Sequence, residues 1–174
     1  LLFIDSEKVY ESECITETSD KWQRLSLTFT TKRTEDVSIC MNLSGATGSV
    51  YFDNIQLEEG DMSDYNLLEN AGFEEDNPSS PRGWSPSTYI GSISETHKAS
   101  GNRAVHISGS VTKHFHYMQE IAVPNGKTGD TYVASAFAKA ASVPAEGWKF
   151  TILVRFIKNG STVNEQNVLF NSYT

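Results

Sequence analysis

Apolar and polar residues alternate over short runs along most of this chain. Trp22–Thr31, WQRLSLTFTT, shows it most clearly. Gln23, Leu25, Leu27 and Phe29 fall on one side and Trp22, Arg24, Ser26 and Thr28 on the other, the two-residue period of a strand with one buried and one open face. Val37–Leu43 turns Val37, Ile39, Met41 and Leu43 inward. Ser44–Gly48, SGATG, reads as a turn, and Val50–Leu57 as the next strand. Glu58–Asp64, EEGDMSD, is charged and reads as a linker. Tyr65–Phe73 begins another strand and ends in the turn Asn70-Ala71-Gly72. Asp76–Pro86 holds three of the five prolines and is expected to be a loop. Further strands are expected at Tyr89–Ser94, Arg103–Ser108, Phe115–Val123, Thr131–Lys139, Phe150–Ile157 and Val163–Phe170, with a hairpin signal at Asn159-Gly160. No amphipathic helical period stands out. The pattern predicts an all-β fold, an antiparallel β-sandwich.

The two ends of the chain look alike. LLFIDSEKVYESECITETSD aligns with VRFIKNGSTVNEQNVLFNSYT, placing Phe3 and Ile4 on Phe156 and Ile157, Val9 on Val163, Glu11 on Glu165 and Cys14 on Val168. A repeat of this period implies that residues 1–60 are the second part of one module, 61–64 a linker, and 65–174 the first part of the next, together forming one sandwich. The chain is accordingly expected to be a piece of a longer protein.

Charge narrows the function. With 14 Lys and Arg against 22 Asp and Glu, the net charge is −8, which argues against nucleic acid and anionic membrane as partners. No apolar run approaches the roughly 20 residues of a membrane-spanning helix. Cys14 and Cys40 either pair or sit as small buried hydrophobes, and the match of Cys14 with Val168 favours the second. No GxSxG, HExxH or P-loop pattern occurs, and no facing carboxylate pair can be nominated, so the chain is read as non-catalytic.

Several stretches resemble the jelly-roll carbohydrate-binding modules of the galactose-binding-like superfamily. They are NLLENAGFE followed by a Pro-rich loop and Gly83-Trp84, SGNRAVHISG, YMQEIAV, TYVASAFAKA, WQRLSLTFT and VYFDNIQLEEG. They fall in family order when residues 65–174 are read before 1–60. The resemblance therefore implies a circularly permuted sandwich closing within one chain, or halves exchanged in a homodimer. Tandem modules of this kind resemble those of secreted glycoside hydrolases and of bacterial YD-repeat (RHS-like) wall proteins. This implies an extracellular or cell-wall location and a glycan or cell-wall polymer as ligand. The alternative is a structural spacer or adhesion module without a glycan ligand.

The resemblance also implies a structural Ca²⁺ held by Asp53 of the closing motif, Glu74 (or Glu75) of the opening motif, and the turn around Ser100 and Arg103. Sugar binding calls for rings and planar polar groups on an open face. By strand parity and position, the candidates are Tyr89, His116, Tyr117, Lys139, Trp148 and Arg155. His114 and His116 share one strand face, a spacing that a metal could use. Trp84 is assigned to the core.

Overall fold

The computed structural model describes residues 21–31, 36–60, 65–77, 80–86, 91–122, 127, 129–141, 150–158 and 161–169. The expectations on Leu1–Thr16, Cys14, Tyr89, Trp148, residues 61–64 and Asn159-Gly160 lie outside these residues. All described elements are strands: β1 Gln23–Thr30, β2 Asp36–Glu59, β3 Asp76–Asn77, β4 Ser80–Pro81, β5 Ser85–Pro86, β6 Gly91–Ser94, β7 Ala104–Ile121, β8 Thr131–Ala141, β9 Phe150–Lys158 and β10 Ser161–Leu169.

The fold is an all-β antiparallel sandwich, and two long strands build both of its layers. β2 runs for 24 residues and β7 for 18. In the first layer, the early part of β2 pairs with β9 (Ile39↔Val154) and with the late part of β7 (Ile39↔Gln119), while β10 and β5 extend its two edges. In the second layer, the late part of β2 pairs with β8 (Tyr51↔Lys139) and with the early part of β7 (Tyr51↔His106), while β1 and β6 lie at the edges. The sequence pattern expects four strands here. The structure joins them into two, because SGATG does not turn the chain back. Instead it meets β7 around Ala46↔Ser110, where the ladder slips twice and Gly48 adopts φ 98°. Strands that switch sheets turn such corners through bulges.

The inward side of β2 changes phase along its length. Val37, Ile39, Met41 and Leu43 are buried, then Val50 and Phe52, then Ile55 and Leu57. The first change falls at the corner. The second falls at a bulge between Asp53 and Gln56, where Asn54 has φ 49°. β1 buries Leu25, Leu27 and Phe29 as expected from its period. β8 contributes Tyr132 and the stripe Ala134, Ala136, Ala138 and Ala140, whose small size lets the layers approach. Phe29 joins the layers: its ring lies 5.7 Å from Tyr132 in its own layer and 5.6 Å from Phe156 in the other.

Tyr65–Phe73 departs from expectation. It lies against the end of β2 without becoming a strand. Leu67 N donates to Leu57 O and Ile55 N donates to Ala71 O, at 2.8 and 3.0 Å. Positive φ at Asn70 (46°) and Phe73 (59°) then turns the chain away from any ladder. Asn66 replaces part of the missing pairing: its Oδ1 accepts from Leu57 N, and its Nδ2 donates to Ile55 O. Leu68 and Phe73 enter the same core as Phe52, with Trp84 packed 5.2 Å from Phe73 and its Nε1 donating to Asn70 O. The described residues on either side of 61–64 thus share one hydrophobic core.

Candidate functional site

The three segments that the resemblance links to calcium converge. Asp53 lies at the β2 bulge and is fully buried. Its Oδ1 accepts from Asn54 N at 2.7 Å, and its Oδ2 accepts from Ala99 N at 2.8 Å and Ser100 N at 2.9 Å. Glu74 Oε1 accepts from Asn102 N and Arg103 N, at 2.8 and 3.1 Å. Between these residues Gly101 adopts φ 58°, and a side chain there would run into the Glu74 carboxylate. Asn54 and the Ser100 hydroxyl exchange hydrogen bonds. The result is an acidic clasp that ties the closing strand, the opening segment and the 99–103 turn together. Glu75, the other carboxylate considered, instead pairs with Arg82 at 2.7 Å.

Burial pushes the Asp53 carboxyl above its ordinary 3.8, against the three backbone N–H groups that lower it, and the charge of Glu74 adds to the rise. A cation would relieve both strains. The clasp offers two carboxylates and the neutral oxygens of Asn54 and Ser100. The remaining oxygens of a six- to eight-coordinate Ca²⁺ shell would have to come from carbonyls and water. Asp53 Oδ1 and Oδ2 and Glu74 Oε1 already accept from five backbone N–H groups, so an ion here would have to share these oxygens with them. No group of three or more His, Cys, Asp or Glu side chains able to hold a metal occurs among the described residues, so an all-side-chain site is not present among them.

The sugar-site candidates separate onto different surfaces. Tyr117 is corrected: it is 2 % exposed and belongs to the core, because its parity on β7 matches Phe115 and Gln119, both turned inward. His116 and Arg155 share the outward face of the first layer. There Asn42 pairs with His116, and Ser38 pairs with Arg155 and Glu120. Burial pushes His116 below its ordinary 6.5, with the Arg155 charge adding to the effect. Buried Ser38 and Cys40 lie on this same side of β2.

Lys139 stands on the outward face of the second layer, in a cluster of rings and polar groups. One row across the strands reads Lys139 (β8), Tyr51 (β2), His106 (β7), Ser92 (β6). Tyr51 stacks on His106 at 4.7 Å, and His97 tilts against it at 4.6 Å. Ser92 Oγ lies 3.0 Å from His106 Nδ1, and Lys139 Nζ lies 3.5 Å from His97 Nδ1. The next rows bring Arg24 beside Phe137, then Ser26, Ser135 and Gln56. Arg24 lies over the Phe137 ring at 5.8 Å, and its Nη2 donates to Gln56 Oε1 and, at 3.0 Å, to Ser135 Oγ.

Tyr51, His97, His106, Arg24 and Gln56 were not among the sequence candidates. The open parity of Arg24 in WQRLSLTFT was the signal for one of them. The meeting of His97 with Tyr51 depends on the loop fold and had no such signal.

A shallow groove of about 290 Å³ lies elsewhere, lined by Leu67, Glu69, Gly83, Gln119, Glu120, Ile121 and Ala122. Gln119 forms its wall by clasping the backbone of Glu69, accepting from its N–H and donating to its carbonyl.

No family model matches the chain, and no curated protein or solved structure matches it significantly.

Proposed function

We propose that this chain is a non-catalytic glycan- or cell-wall-polymer-binding module serving a larger extracellular bacterial protein. Its fold is compatible with a jelly roll, and the resemblance of its motifs to carbohydrate-binding modules supports the reading. The carrying observation is the row Lys139–Tyr51–His106–Ser92 on the outward face of the second layer, continued by Phe137, Arg24 and Gln56. Sugars present C–H faces to rings and hydroxyls to amides, guanidinium and ammonium groups. This face offers both kinds of contact side by side, on strands rather than loops, so the groups are held in place before a ligand arrives.

The test is affinity electrophoresis through gels containing a panel of neutral and acidic polysaccharides. Retardation by at least one polymer is expected. Tyr51→Ala should abolish it, and Arg155→Ala, on the opposite layer, should leave it intact. Absence of retardation on every polymer would overturn the reading in favour of a spacer module.

Calcium is proposed as a structural element of the clasp, binding at Asp53 and Glu74 and fastening the 99–103 turn rather than contacting sugar. Chelator should lower the melting temperature, Ca²⁺ should restore it, and Asp53→Ala should be insensitive to both. A melting temperature indifferent to chelator would remove the ion from the proposal.

A further inference from the structure

We infer that the outward face of the second layer is built for a polysaccharide bearing carboxylates, a uronate polymer. This rests on the glycan-binding reading and names its ligand class. The molecule as a whole is acidic, with net charge −8, yet among the described residues the cations in these rows are Arg24 and Lys139, with His97 and His106 alongside and Glu58 one row further on, opposite Val133. The carboxylate in these rows is Asp53, which is fully buried and already bonded to the amides of residues 54, 99 and 100. Glu95, exposed in the neighbouring loop, lies 3.6 Å from Arg103. Two cations in neighbouring rows, Arg24 and Lys139, on a negative protein call for an anionic ligand.

Arg24 decides between kinds of anion. Its guanidinium is held by an aromatic ring and by two neutral oxygens, Gln56 Oε1 and Ser135 Oγ, so its charge is not cancelled. Both hydrogen bonds come from Nη2, and Nε and Nη1 take no part in them. A guanidinium fixed in plane matches the planar fork of a carboxylate. Phe137, the cross-strand partner of Arg24, and Lys139 are two residues apart on β8, about 7 Å along the strand. A polymer laid along β8 would meet the two cations in turn, with the Tyr51 and Phe137 rings between and beside them.

The test compares binding of the whole chain to polygalacturonate, alginate and glucuronoxylan with binding to the same polymers after their carboxyl groups are reduced to alcohols. Neutral polysaccharides, dextran sulfate and single-stranded DNA complete the panel. At least one native uronate should bind, and its reduced form should bind at least about tenfold more weakly. Arg24→Gln and Lys139→Gln should each weaken binding by about tenfold with unchanged circular dichroism, and raised salt should weaken it further. Equal binding to native and reduced polymers, or binding to neutral polysaccharides alone, would overturn the uronate assignment and leave the glycan reading standing. Equal or stronger binding to dextran sulfate or DNA would overturn it in favour of general polyanion attraction. Failure to bind anything in the panel would remove both readings.

Discussion

Asp53 and Glu74 grip opposite ends of one short turn, and Gly101 lies where any side chain would push Glu74 away. Gly101→Ala should therefore cost about 1–2 kcal/mol, from the left-handed backbone and the displaced carboxylate. For a chain of this size the melting temperature should fall by about 2–8 °C, measurable by calorimetry. Acidity gives a second handle. The folded Asp53 carboxyl titrates above 3.8, so its share of stability is present below 3.8 and is lost as pH rises through the raised folded value. In chelator, the stability of the native chain relative to Asp53→Asn should decline as pH climbs through that window, as read from urea midpoints.

The histidines act at the other end of the scale. Burial holds His106 below 6.5, with His97 adding to the effect, so its share is present above 6.5 and is lost as pH falls through the lowered value. His106→Asn should flatten part of that fall, and His116, shifted in the same direction, supplies another part. Asp53, Glu74, Ser100 and Arg103 could be named together because their motifs resemble landmarks of a known family, not because their spacing in the chain brings them together. Tyr51 and His97 could not, since 45 positions of intervening chain separate them and only the loop fold brings the rings together.

Among the elements, the segment opening at Tyr65 is joined to the closing strand by a small set of bonds, besides the Gln119 and Trp84 bonds that hold Glu69 and Asn70 from elsewhere. Two backbone hydrogen bonds and the Asn66 side chain fasten it to the end of β2. Asn66→Ala removes an acceptor for Leu57 N and Leu68 N and a donor to Ile55 O. A loss of about 2–4 kcal/mol is expected in denaturant unfolding, at roughly 1 kcal/mol per bond plus the cost of the buried groups left behind. The strands themselves were legible by more than one signal: β1 buries Leu25, Leu27 and Phe29 at the two-residue period the sequence shows, whereas β9 was read from its continuous apolar run and buries Ile152, Leu153 and Val154 in succession. What the sequence hid was continuity. Gly-rich SGATG and Gly109-Ser110 carry the composition of turns, but they pair with each other across two long strands and bend instead of reversing. Phe52-Asp53-Asn54-Ile55 shows the reverse case: two polar residues between apolar ones break the period, and a bulge stands there.

For the whole molecule, cooperativity follows from pairing across sequence distance. Gln23 pairs with Ala138, and β2 is flanked by β7, β8 and β9, so few contacts form locally and folding should be slow for a domain of this size. The same pairing makes the covalent connection at residues 61–64 dispensable once the fold has formed. A protease site placed there and cut should leave both fragments eluting together in native buffer and separating only in urea, since β2 remains embedded among strands of the second fragment. Separation without denaturant would mean that the two sides do not share a core.

The shared corner where β2 and β7 bend also governs how this architecture can change in length. Within a regular ladder, one added residue would turn every following side chain inside out. At the corner the register already slips, so a foreign epitope spliced between Ala46 and Thr47 should be displayed at the rim while Val50, Phe52 and the strands beyond keep their orientation.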